Sequence, residues 1–70
     1  MSTMSELQVT FGEKVRKRRL ALGWTQVELA KRVGRRQTEI TDLENGHHAP
    51  TLKTVERIAE ALGVEPKKLL

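Results

Sequence analysis

Two glutamines set the chemistry this chain can do. Gln26 and Gln37 each open a short stretch of helical apolar spacing. A glutamine amide both donates and accepts, so it can pair in bidentate fashion with N6 and N7 of adenine in the major groove. A helix start adds free backbone N–H groups and a partial positive charge, which are natural neighbours of phosphate. Arg35 and Arg36 precede Gln37 and are placed for phosphates or a guanine. Thr38 and Thr41 fall on the outward face of the same segment and suit bases or thymine methyl groups. Glu39 and Asp42 share it; they repel phosphate, yet each can accept from a cytosine N4 amine. Taken singly, each is also an ordinary exposed polar residue. Their common spacing makes them a candidate face for a polyanion.

Two helices and a tight turn must position that face. Thr25 and Glu28 form a T-x-x-E capping box, so a helix is expected to start just after Thr25. Trp24 and Leu29 are spaced to close a hydrophobic staple over that start. Leu29, Ala30 and Val33 give it an apolar face, and Gly34 follows where a positive φ ends a helix cheaply. A second helix is expected from about Arg36 or Gln37 to Asn45, with Ile40 and Leu43 inward and Gly46 closing it. Two such short helices bury little alone and need flanking helices, as in a helix-turn-helix.

On Gln26, the Leu29–Ala30 pair, Gly34, Gln37, Ile40 and the Leu43–Gly46 run LENG, the sequence resembles the Cro and phage-repressor (XRE) type of DNA-binding domain. The resemblance is tightest from Gly23 to Gly46 and extends from Phe11 to Leu70. It implies an all-α, five-helix Cro/repressor-like (lambda-repressor-like) domain that binds double-stranded DNA and regulates transcription. It further implies that Gln26 contacts the DNA backbone and braces Gln37, that Gln37 reaches a base edge, and that Asn45 meets a phosphate. Arg19 and Glu44 match an internal ion pair of the family. Three departures stand out. Arg35 and Arg36 stand in a turn that usually carries an apolar residue and then a small hydroxyl cap, Glu39 and Asp42 put negative charge on the recognition helix, and Arg18 occupies an often apolar position.

Composition narrows the rest. Seventy residues make one small domain, and the absence of cysteine rules out disulfides and thiolate metal sites. That usage, with no signal-like N-terminus and no apolar run of spanning length, leads to an expected cytoplasmic location. Residues 1–36 hold nine Lys or Arg against three Glu, whereas residues 37–70 hold four basic against six acidic residues. A basic half is the footprint of a polyanion binder. The run Lys14–Arg19 reads either as a solvated face or as a phosphate contact. His47 and His48 are adjacent and lack the i, i+4 spacing of a zinc pair, so no metal or other cofactor is expected. No arrangement of nucleophile, base or paired carboxylates suggests catalysis, and no enzyme is expected.

Along the chain, residues 1–9 are expected to form a flexible arm and residues 10–70 the domain. Thr10 and Glu13 suggest a first helix from Phe11 to about Leu22, with a stripe of Phe11, Val15, Arg19 and Leu22. Thr51 is expected to cap a fourth helix carrying Leu52, Val55, Ile58, Ala59 and Leu62 inward. Pro66 opens a fifth, short helix ending near Leu70. Val64, Leu69 and Leu70 lack an obvious internal partner and are the expected homodimer interface. A dimer would read a pseudo-palindromic operator. Two other readings remain open at this stage: a protein-interaction module such as an antitoxin or sigma-contacting partner, and an interfacial membrane role for the first helix.

Overall fold

In the computed structural model, which describes residues 6–70, helix α1 runs Glu6–Ala21. It starts well before Phe11, so residues 6–9 of the expected arm are helical; residues 1–5 lie outside the described residues. Nothing in Glu6–Thr10 breaks a helix, and Glu6 puts a negative charge on the first turn, where the helix dipole favours it. Thr10 therefore sits inside α1, and its T-x-x-E spacing to Glu13 is not a cap. At the other end α1 stops at Ala21, which leaves Leu22 in the following turn and 36 % exposed instead of on the core stripe.

Helix α2 (Gln26–Val33) begins under the Thr25 cap. The Glu28 amide donates to Thr25 Oγ1 at 3.1 Å, and the Thr25 amide donates to Glu28 Oε1 at 3.3 Å. Gly34 ends α2 with φ at 75°, a left-handed conformation that a β-carbon would strain. Helix α3 (Gln37–Glu44) follows after Arg35 and Arg36, and no side chain caps its start. Helix α4 (Leu52–Leu62) starts under Thr51, whose hydroxyl accepts from the Thr54 amide at 3.2 Å. Leu52, at the first position of α4, faces outward and is 72 % exposed.

The expected fifth α-helix is a 3-10 turn, Pro66–Leu69. Proline supplies the right φ but no N–H, and four residues are too few to close an α-helical ladder. The domain thus has four α-helices and one 3-10 turn, with no strand among the described residues. That final turn swings Leu69 into the core, where it is 2 % exposed. Leu69 is consequently unavailable as a dimer contact, and Val64 is half-buried against the same core.

One hydrophobic cluster joins the elements. Phe11 and Val15 of α1 meet Leu29 of α2, Ile40 and Leu43 of α3, and Ile58 and Leu62 of α4. Helix α3 packs on α1 and α2, while the final turn packs on α1 and α4. The α1–α3 approach is close because residue 12 is glycine. A β-carbon there would collide with the backbone carbonyls of Leu43 and Glu44. Trp24 lies at the edge of the core with the Arg32 guanidinium 4.1 Å above its ring.

Candidate nucleic-acid interface

A buried ion pair anchors α3 from behind. Arg19 Nε donates to Glu44 Oε2 at 2.6 Å and Nη2 donates to Oε1 at 2.9 Å, a bidentate fork. Arg19 Nη1 donates to the Trp24 carbonyl at 2.7 Å, which ties the α1–α2 connection into the same cluster. The hydrogen bonds to Glu44 raise the Arg19 pKa above its ordinary value against the opposing effect of burial, and the attraction of the carboxylate's charge adds to the rise. Both side chains are nearly dry, at 8 % and 1 % exposure. The pair fixes α3 relative to α1 before any ligand is met.

Gln26 extends this cluster toward the surface. Its Nε2 donates to Glu44 Oε1 at 3.2 Å, and its Oε1 accepts from the Thr41 hydroxyl at 2.8 Å. Gln26 therefore braces Thr41 and Glu44, not Gln37. Thr41 is correspondingly half-buried, with its hydroxyl shared between Gln26 and the Gln37 carbonyl at 3.1 Å. Its polar atom is turned inward instead of outward. No local pattern could reveal this, because the bond depends on how α2 crosses α3.

Arg35 is also held back. Its Nη2 donates to Thr54 Oγ1 on α4 at 3.2 Å, and Nη1 lies 3.8 Å from Glu39, one helical turn on. Its Nε is buried without a partner. Thr54, nineteen residues away, carries no signal in the sequence for this role. The i, i+4 spacing of Arg35 and Glu39 does, and the pairing offsets part of the negative charge Glu39 brings to the helix.

What remains at the surface is a small, coherent set. Arg36, Gln37, Thr38, Asp42 and Asn45 are exposed, and their side chains have no partner within the described residues, so Asp42 leaves one unpaired negative charge on α3. Arg36 is the N-cap residue of α3 but offers it no side-chain acceptor, so the first-turn N–H groups share a surface with the Gln37 amide. Asn45 caps the other end through its backbone, donating its N–H to the Thr41 carbonyl at 3.0 Å and leaving its side chain outward. His47 and His48 are exposed in the loop beyond.

Residues 15–69 match the family model described as helix-turn-helix. The chain belongs to the helix-turn-helix family. Among its relatives, control protein C.BamHI of Bacillus amyloliquefaciens is 39% identical over 67 residues, covering 94% of this chain and 83% of that protein. The solved restriction-modification controller protein C.AhdI from Aeromonas hydrophila is 32% identical, with a TM-score of 0.87, covering 90% of this chain and 96% of that one. The P22 c2 repressor, solved with a synthetic operator, is also 32% identical, with a TM-score of 0.81 over 86% of this chain and 91% of that one. This helix-turn-helix protein is a DNA-binding transcriptional regulator. None of its described helices is long and apolar enough to cross a membrane.

Proposed function

We propose that the protein lays α3 in the major groove of double-stranded DNA and reads an operator in the cytoplasm without enzymatic activity. Gln37 is the base-reading residue, pairing with an adenine through its amide. Arg36, Asn45 and the first-turn N–H groups of α3 take phosphates and set the register. Thr38 lies beside Gln37 as a second base contact. Gln26, Thr41 and Arg35 support this surface instead of forming its outer face. The observation that carries the reading is the exposed, unpartnered Gln37 amide on a helix whose start has no side-chain cap.

One domain of this size reads only a few base pairs, so the operator is read by a symmetric homodimer. Its half-sites are about 34 Å apart, one turn of DNA. The face assigned to the second copy is the open apolar groove of about 320 Å³ that includes Leu7, Phe11, Pro50, Leu52 and Leu70. Leu7, Leu52 and Leu70 are exposed there at 60%, 72% and 49%. Of the residues first expected at the interface, Leu70 lines this groove, Leu69 is buried in the core and Val64 lies outside the groove.

Selection from a randomised duplex pool at one fixed salt concentration tests the readout. Gln37→Ala should relax preference at one base pair in each half-site, at a cost of about 1–3 kcal/mol there. Asn45→Ala should weaken binding to all sequences about equally. An unchanged motif from Gln37→Ala would place the reading face elsewhere.

A further inference from the structure

The basic run Lys14–Arg19 is only partly used by the surfaces described so far. Arg19 turns inward to Glu44. Lys14, Lys17 and Arg18 emerge on another face of α1, where they meet Lys68 of the final turn around an open groove of about 340 Å³. The floor of that groove is Ala21 and Val64 over the buried Leu69. None of its lining residues comes from α2, α3 or the turn between them. The groove is therefore built from different elements than the DNA-reading set.

Its charge is held in place but not neutralised. Lys14 Nζ donates to the Leu70 carbonyl at 2.7 Å, and Arg18 Nε donates to the Leu62 carbonyl at 3.1 Å. Those bonds fix the two side chains against the groove and leave the Arg18 Nη groups without an acceptor. None of the four cations forms an ion pair among the described residues. Lys17, Lys68 and the free Arg18 Nη groups around an aliphatic floor call for a ligand with carboxylates and apolar groups side by side. A duplex backbone would satisfy the rim and leave Ala21 and Val64 unmatched. On an amphipathic helix, glutamates and leucines three and four residues apart meet both at once.

We propose that this groove is a docking surface for an acidic amphipathic helix of a protein partner. The partner's leucine-type side chains lie on Ala21 and Val64. Its carboxylates meet Lys14, Lys17 and Lys68, and one of them takes the Arg18 fork. The regulator can in this way hold DNA on α3 and a second protein on α1 together.

The test uses the full chain, isotope-labelled for NMR, and a synthetic helical peptide with leucines on one face flanked by glutamates. A scrambled peptide of the same composition is the control for charge alone. The expected result is a set of amide shifts at Lys14, Lys17, Arg18, Ala21, Val64 and Lys68, with Gln37, Thr38 and Asn45 undisturbed. The scrambled peptide and the variant carrying Lys17→Glu and Lys68→Glu should each bind about tenfold more weakly or worse. Both substituted residues are exposed, so the fold is retained, and thermal unfolding of the variant verifies it. Absence of peptide binding, equal binding of the scrambled peptide, or shifts centred on α3 would each overturn the proposal. So would a loss of about one or more phosphate contacts in the salt dependence of duplex binding by the double variant, since the groove would then belong to DNA.

Discussion

Replacing Arg19 by methionine strips Glu44 of both arms of its fork and leaves a 1 % exposed carboxylate with only the Gln26 amide. Replacing Glu44 by leucine leaves the Arg19 guanidinium with only the Trp24 carbonyl. An unpaired buried charge of this kind costs roughly 3–5 kcal/mol. A chain of this length is held together by only about 4–10 kcal/mol in total. Each single variant should therefore sit at or near the edge of folding, which decides how the experiment must be run. Urea denaturation belongs at low temperature with sucrose added, followed by far-UV circular dichroism and by the fluorescence of Trp24, the only tryptophan. The double variant removes both charges and leaves only the Trp24 carbonyl and the Gln26 amide short of a partner, at about 1 kcal/mol each. It should lose about 2 kcal/mol and be more stable than either single variant. Additive losses in the double variant would refute the coupling and with it the view that this pair sets the position of α3.

Arg36→Ser should give α3 the side-chain cap it lacks and stabilise the domain by about 0.5–2 kcal/mol, read as a higher urea midpoint with an unchanged slope. Gly12→Ala should do the reverse, because its methyl group meets the carbonyls of Leu43 and Glu44. Forcing α1 and α3 apart should cost at least about 1–3 kcal/mol in the same assay. Leu52→Lys, at an exposed position, should leave urea stability of the monomer nearly unchanged and shift sedimentation toward monomer, and it should weaken binding to a duplex with two half-sites more than to one with a single half-site. A dimer of undiminished strength would move the interface away from this groove.

The parts of this fold that could be read from sequence are those written in local spacing. Thr25 and Glu28 lie three residues apart and announce α2, and Thr51 announces α4 in the same way. The identical spacing of Thr10 and Glu13 misleads because a cap also needs something to stop the chain from being helical before it. Nothing in Glu6–Thr10 does that. Leu69 and Leu70 are adjacent and chemically alike, yet one is in the core and the other at 49 % exposure. Only the 3-10 geometry after Pro66 separates them. At the candidate interface, spacing locates the start of α3 and hence Gln37. It cannot show that Thr41 turns back to Gln26 or that Arg35 reaches Thr54, since both bonds span different helices.

The uncapped start of α3 has a consequence for how the protein searches DNA. Helices α2 and α4 begin under threonine hydroxyls from their own chain, whereas α3 begins with no such acceptor. A first turn left this way lacks one of the hydrogen bonds that hold the starts of α2 and α4. On a duplex, a phosphate oxygen in the right place fills the role that Thr25 and Thr51 play elsewhere. In the complex proposed above, the turn carrying Gln37 would then be completed by the molecule it reads. On unrelated sequence, where phosphates and bases are not in register together, that bond would be missing. At the operator, where both would arrive at once, the phosphate would supply it. Recognition would then become a change in residence time, brief on most of the genome and long at one address.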